Sequence, residues 1–430
     1  MKKNRSTVSE SVKLAAAALL AAALPTTPVQ AGDSPVVDTG QSSCYGTAGG
    51  AIVCPQPGEP LYGQDAQING NQAQYQDNGD GTITDLTTGL MWQKEPGEKV
   101  DWWTAVANAP LALTGGYTDW RLPTIKELYS LIDFDGFTGM SAATSEPYID
   151  TDFFAFEYGD ESNGERFIDA QYCTSTEYVS TTMDGNHTVF GVNFADGRIK
   201  GYGTSTPMGD KLFFVKYVRG ESSYGQNLFV DNGDGTITDQ ASGLMWSQDD
   251  SGVGMPWEDA LAWVQQKNAE AYLGYDDWYL PNVKELQSLV DYSRSPDTDG
   301  TPALDPVFHA TAIVNAGGQE DYPYYWSGTS HREGPPEIQG TYASYVAFGR
   351  ALGWMEMPPG SGNHILMDVH GAGSQRSDPK TGDPDDYPFG HGPQGDVIRI
   401  FNFVRLVREA DDSGTEIFSD GFESGDISAW

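Results

Sequence analysis

Two stretches of this chain repeat one another so closely that they constrain the architecture before any other property is weighed. Asp77 to Trp92 (DNGDGTITDLTTGLMW) and Asp231 to Trp246 (DNGDGTITDQASGLMW) share 13 of 16 residues. A second block follows in the same order: Asp119 to Asp133 (DWRLPTIKELYSLID) matches Asp277 to Asp291 (DWYLPNVKELQSLVD) at 10 of 15 positions. Self-similarity of this kind marks a duplicated structural unit. Each unit, at about 150 to 180 residues, has the size of a domain with its own core, so the pattern predicts two lobes and not a thin solenoid. The first copy is expected over residues 72–220 and the second over 226–409, joined by the polar stretch 221–225.

Within each copy the Asp-Asn-Gly-Asp-Gly run lies between β-favouring residues, Tyr75 before it and Thr82, Ile83 and Thr84 after it, which predicts a tight hairpin. Trp102, Ala105, Val106 and Ala109 then recur at the spacing of one buried helix face, as do Trp257, Ala260, Leu261 and Val264. Those tryptophans are read as core. In the second block Thr124 with Glu127, and Asn282 with Glu285, form capping-box patterns that start a second helix, whose apolar face in the first copy is Ile125, Leu128 and Ile132. Strands are expected at Val189 to Phe194, before an Asp196-Gly197 turn, and at Ser344 to Phe348. Each copy closes on an apolar strand, Leu212 to Val218 and Ile398 to Val407. Two helices followed by mostly antiparallel strands make an α+β fold class, present twice in tandem.

The flanks speak to compartment. Lys2, Lys3, Arg5 and Lys13 surround the start of an apolar run from Leu14 to Leu24, and Val29-Gln30-Ala31 ends it in the manner of a signal-peptidase site. Residues 1–31 are therefore expected to be a signal peptide, with no transmembrane segment in the mature chain, since the run is far short of the roughly 20 residues of a membrane span. The expected address is outside the inner membrane: periplasm, cell surface or medium. Loss of this segment moves the formal charge from −37 to −40. A surface so acidic repels nucleic acid and anionic lipid, and it favours neutral or basic partners and cations.

In an oxidising compartment Cys44 and Cys54 are expected to pair, stapling a leader segment over residues 32–71. Cys173, flanked by Tyr172 and Thr174, is read as a buried, inert thiol on a strand. Residues 410–430 form an acidic tail unlike either copy.

Several side-chain groups offer chemistry. Asp77, Asn78, Asp80 and Asp85, mirrored by Asp231, Asn232, Asp234 and Asp239, bring oxygens of the kind Ca²⁺ takes within nine residues. The loop is not an EF-hand, because Gln76 and Thr87 stand where that motif needs acids. A Gly-rich hairpin whose Asp and Asn side chains satisfy their own backbone is the alternative. The second copy also carries an insertion, from about Gly360 to Asp396, that reads as a long loop able to hold a binding site. Its His364, Asp368 and His370 suggest a transition-metal site only weakly, because no regular spacing unites them. For a sugar ligand the candidate contacts are Trp354, Tyr342 and Tyr387 beside Asp383, Asp385 and Asp386.

Taken together, Gly-Leu-Met-Trp, Asp-Trp-x-Leu-Pro with Lys-Glu-Leu, the Tyr325 to Thr329 strand (YWSGT) and the closing Val404 to Arg408 (VRLVR) resemble the Lcl C-terminal domain family, long listed as a domain of unknown function. The leader, with Thr39-Gly40-Gln41, Cys44-Tyr45 and Tyr62 to Ala66, resembles the segment that often precedes such domains. The resemblance implies a C-type-lectin-like fold, distantly similar to formylglycine-generating enzymes, and a role in surface adhesion or glycan binding. The family's named member is a collagen-like adhesin for sulfated glycans. Here there is no collagen repeat, and the negative charge disfavours a sulfated ligand, so that ligand class does not transfer. Cys173 stands where the second copy has Trp326, and the thiols a formylglycine-generating activity needs are not in place.

The expectation is therefore an exported recognition or adhesion protein, not an enzyme, binding a glycan or surface ligand and in one reading Ca²⁺. A structural envelope protein packing on partner proteins is the alternative. A carboxylate-pair glycoside hydrolase ranks third.

Overall fold

The computed structural model describes Gln30 and residues 32–207 and 209–410. The segment expected to be a signal peptide, apart from Gln30, and the tail beyond Ala410 lie outside the described residues. No helix among the described residues is long and apolar enough to cross a membrane.

Both copies open on the predicted hairpin. In the first, β3 (Tyr75–Asp77) and β4 (Thr82–Asp85) are joined through Gly79 and Gly81, both at positive φ (75° and 87°). β1 (Cys44–Tyr45) and β2 (Ala51–Ile52) belong to the leader. β5 (Met91–Gln93) and, much later, β9 (Val218–Arg219) complete a four-stranded antiparallel sheet in the order β3-β4-β5-β9. The second copy repeats it with β10 (Phe229–Asp231), β11 (Thr236–Asp239), β12 (Leu244–Ser247) and β18 (Val407–Glu409).

The predicted helices form: α1 (Trp102–Asn108) and α2 (Ile125–Tyr129), then α3 (Trp257–Ala269) and α4 (Val283–Ser288). Both capping boxes close as the sequence suggests. Trp102 and Trp257 are fully buried, and each indole donates to an equivalent strand carbonyl, Thr174 O and Ser327 O, at 2.8 Å.

The expected long closing strands are interrupted. Pairing survives at Leu212–Phe213, β9 and β18, while between them Lys216 and Arg405 turn inward. Lys216 Nζ donates to the carbonyls of Gln93 and Lys94, and Arg405 Nη1 donates to those of Ser247 and Gln248. Those contacts replace ladder pairing in both copies alike.

The expected separation into two lobes gives way to a fused body. β6 (Gln171–Thr182), β7 (Asn186–Asn193) and β8 (Arg198–Gly203) of the first copy join β13 (Tyr324–His331), β14 (Tyr342–Ala347) and β17 (Gln375–Pro379) of the second in one six-stranded sheet, ordered β13-β14-β17-β8-β7-β6. The junction is the pairing of Gln375 with Ile199. One apolar cluster runs through both copies and includes Trp92, Leu128 and Phe190 with Trp246, Leu286 and Val346. Smaller clusters belong to one copy each, around Trp102 and Cys173 in the first and Trp257 and Trp326 in the second.

The lysines of the two Lys-Glu-Leu motifs clasp this junction reciprocally. Lys126 Nζ donates to Ser288 O (2.6 Å) and Asn227 Oδ1 (2.9 Å), and Lys284 Nζ donates to Ser130 O (2.9 Å) and Asp38 O (2.8 Å). Ser130 and Ser288 are equivalent residues, so the contact is self-complementary, as in a two-fold dimer. Burial pulls both ammonium groups down to about 8.

The leader binds both copies. Thr39 O accepts from Phe134 N of the first, and Gln41 exchanges two hydrogen bonds with Ser330 of the second. Asp65 Oδ2 accepts from both Thr39 Oγ1 (2.8 Å) and Thr329 Oγ1 (2.5 Å). The Cys44–Cys54 disulfide is present, and closing so short a loop stabilises it by about 3 kcal/mol on the chain-entropy view.

Candidate functional site

The insertion of the second copy is not one loop, as its composition suggests. It supplies β16 (His364–Asp368), which pairs with β15 (Leu352–Glu356) in a separate hairpin, and then β17. In the sheet β17 holds the position beside β14 that β8 holds beside β7 in the first copy. The two copies therefore meet through unlike strands.

A cavity of about 270 Å³ opens on this seam. β8 contributes Arg198 and Lys200, the turn before it Asp196, β17 Arg376 and Ser377, and the returning chain Glu333 and Tyr342. His391, Gln394 and Asp396 from the end of the insertion line it as well. A second cavity of about 240 Å³ shares Arg166, Lys200 and Gln394 with the first and continues to Asn186, Lys211 and His370.

Alternation along a strand puts Arg198 and Lys200 on one face. Arg198 Nη2 donates to Glu333 Oε2 (2.6 Å) and to Ser377 Oγ (3.1 Å), and its Nη1 lies 3.7 Å from Asp196 Oδ2. Burial alone would raise the Glu333 carboxyl, but the Arg198 guanidinium overrides it and holds it at about 2. Arg376 pairs with Asp396, whose other oxygen receives His370 Nε2 at 2.8 Å. Burial brings His370 down to about 4 against the pull of Asp396, and burial with the Arg198 charge does the same to His331. Both imidazoles are therefore neutral at neutral pH.

Lys200 is different. Its Nζ lies 3.8 Å from Asp196 Oδ2 and makes no hydrogen bond, and burial, reinforced by the Arg376 charge, lowers it to about 7. Arg198 Nε, Arg376 Nε and Nη1 and Asp196 Oδ1 also lack partners. Buried polar groups left unpaired are costly, and Lys200, whose side chain keeps 17% of its surface, is the one of these that can meet a molecule in the cavity.

Of the residues selected from sequence, Tyr342 lines this cavity. Trp354 sits instead on the β15–β16 hairpin with its ring edge toward Phe389 (6.3 Å), and Tyr387 lies edge-on to His391 (6.5 Å). Asp383 receives the backbone N–H of Asp385, and Asp383, Asp385 and Asp386 are exposed outside the cavity lining. His364 stacks on Phe389, Asp368 accepts from Tyr178 and Gly371, and His370 turns to Asp396, so these three do not converge.

The acidic hairpins spend their oxygens locally. Asp77 Oδ1 accepts from Gly79 N and its Oδ2 from Lys94, while Asp80 Oδ1 accepts from Thr82 N and Oγ1. Asn78 Nδ2 donates to Thr82 and Thr84, and the buried Asp85 accepts from Thr87 N and Thr88 N. In the second copy Asn232 and Asp234 repeat these bonds, Asp231 accepts from Gly233 N with Gln248 standing where the first copy has Lys94, and Asp239 accepts from Leu228 N, Ala241 N, Asn227 and Ser242. Among the described residues no three His, Cys, Asp or Glu side chains gather as a metal site. The self-satisfied hairpin is the geometry observed.

Arg166, Arg198, Lys200, Arg376 and Asp396 escaped the sequence reading. The visible signal was charge at alternate positions in Arg198-Ile199-Lys200, just past the expected Asp196-Gly197 turn, where the second copy has Arg350-Ala351-Leu352.

Fold and cleft together define a fused pair of α+β domains, mostly antiparallel, with a ligand-sized pocket that both halves build. The family model for the Lcl C-terminal domain matches residues 81–219 and 235–365, and the chain belongs to that family. No curated protein and no solved structure matches it.

Proposed function

We propose that the protein is an exported recognition protein that grips its ligand in the seam cleft, each copy taking the C-type-lectin-like fold that the family resemblance implies. The observation that carries this reading is the cavity of about 270 Å³ lined from both copies and the insertion, with the Lys200 ammonium in its lining left without a hydrogen-bond partner. A small ligand with several polar groups satisfies such a lining, and Tyr342 offers an aromatic face beside it. Export accords with the amino-terminal pattern and with the Cys44–Cys54 disulfide. The hairpin carboxylates are occupied by their own loops, so recognition through the cleft is independent of calcium.

A glycan array run with the mature chain, with calcium and again with chelator, tests this. Binders retained on both plates and weakened by Tyr342→Ala and Gln394→Ala are expected. An array without binders, or binders indifferent to both substitutions, favours the structural envelope role instead.

A further inference from the structure

The charge of the cleft runs against that of the whole chain. Across the two adjoining cavities the basic lining residues are Arg166, Arg198, Lys200, Lys211 and Arg376, and the acidic ones are Asp169, Asp196, Glu333 and Asp396, five against four. This is a small positive surplus inside a protein of formal charge −37. Net charge describes the distant field, whereas a ligand held in a cleft responds to the groups within a few ångströms.

The unused hydrogen-bonding capacity has the same sign. Lys200 brings three N–H donors and no acceptor within hydrogen-bond distance. Resting on the reading of the seam as the binding site, we propose that its ligand is a small, singly charged carboxylic acid carrying hydroxyl groups, the size of one sugar-acid residue, with the carboxylate held at Lys200. An anionic acceptor beside Lys200 Nζ would oppose the lowering that burial and the Arg376 charge produce.

Size and charge set the other limits. About 270 Å³ is room for a single ring beside Lys200. A polyanion meets the repulsion of the acidic exterior along its whole length. A lone carboxylate inside the cleft is screened from all but nearby charges, because the Debye length is about 8 Å at physiological ionic strength. Ser377, Gln394, Asn186 and Tyr342 supply neutral donors and acceptors for hydroxyl groups. A basic ligand would meet Arg376 and Lys200 head on.

Isothermal titration of the mature chain with matched pairs of sugar acids and their neutral sugars, glucuronate with glucose and galacturonate with galactose, tests the proposal, with inorganic sulfate and phosphate as further arms. At least one acid is expected to bind on the order of tenfold or more tighter than its neutral partner, the scale of one charge-assisted hydrogen bond. Lys200→Met should erase that ratio at unchanged melting temperature, and Lys200→Arg should keep it. Equal binding of acid and neutral partner, still weakened by Tyr342→Ala, overturns the acid and leaves the cleft standing. Tighter binding of the inorganic anions than of any sugar acid overturns the proposed scaffold. Failure of every compound to bind overturns the proposal, and ligands untouched by all cleft substitutions overturn the site as well.

Discussion

The duplication provides an internal control for one buried glutamate. Glu127 and Glu285 are equivalent, and each closes its capping box by accepting from a backbone N–H, Thr124 N (2.7 Å) and Asn282 N (2.8 Å). Their other partners differ because Arg121 of the first copy is Tyr279 in the second. Arg121 meets both oxygens of Glu127 at 2.5 and 2.7 Å, a bidentate pair with the carboxylate fully buried. Glu285 receives only the Tyr279 hydroxyl (3.0 Å), and burial raises it to about 8. Glu127→Gln strands a largely buried guanidinium and should cost about 3 kcal/mol or more.

Glu285→Gln should act in the opposite direction. The folded chain holds a proton on Glu285 that the unfolded chain, with a carboxyl near 4.5, releases, so stability falls as pH rises from about 4.5 to about 8. At pH 7 that penalty is about 3 kcal/mol, and the neutral amide removes it, less whatever hydrogen-bond geometry the amide fails to reproduce. Urea denaturation of both variants at pH 5 and pH 8 is the assay. The expected result is a lower midpoint for Glu127→Gln at both pH values and, for Glu285→Gln, a gain over the parent that grows from pH 5 to pH 8. Equal losses in the two variants, or a Glu285→Gln effect independent of pH, would refute the reasoning.

Two further outcomes follow from buried groups. Burial, despite hydrogen bonds from Thr329 and Thr39, raises Asp65 to about 7, so the leader contacts weaken as pH rises from about 4 to about 7, by about 4 kcal/mol in all. Protection factors over residues 38–68, corrected for the base-catalysed intrinsic exchange rate, should fall across that range in the parent and stay level in Asp65→Asn; parallel behaviour contradicts the assignment. Cys173 is fully buried and burial pushes its thiol up to about 12, so iodoacetamide should modify it only at the rate of unfolding, and prompt labelling of the native chain at pH 8 would show the site to be open.

Local structure was legible where neighbouring residues decide it. The Asp-Asn-Gly-Asp-Gly hairpins, both capping boxes, the tryptophan helix faces, the disulfide and the buried thiol follow from contacts within about a dozen residues or from compartment chemistry. The seam was not legible, because strand partners drawn from different copies leave no local trace. β17 shows why: Gln375, Ser377 and Asp378 are buried yet carry no apolar alternation, and the partners of Asp378 Oδ2, Arg399 N, Ile400 N and Asn402, come from a later segment. A polar strand of that kind reads as loop. The cleft was missed for the same reason, since total charge says nothing of the basic side chains gathered in its lining.

The asymmetry of the seam carries a consequence for stoichiometry. A symmetrical pair of copies would offer matched sockets, whereas here β8 meets β17 once and the insertion that frames the junction exists in one copy only. With recognition seated at that junction, each polypeptide is monovalent. Tenacious attachment to a crowded surface then depends on how many chains are displayed together, and not on the fact that the gene was doubled.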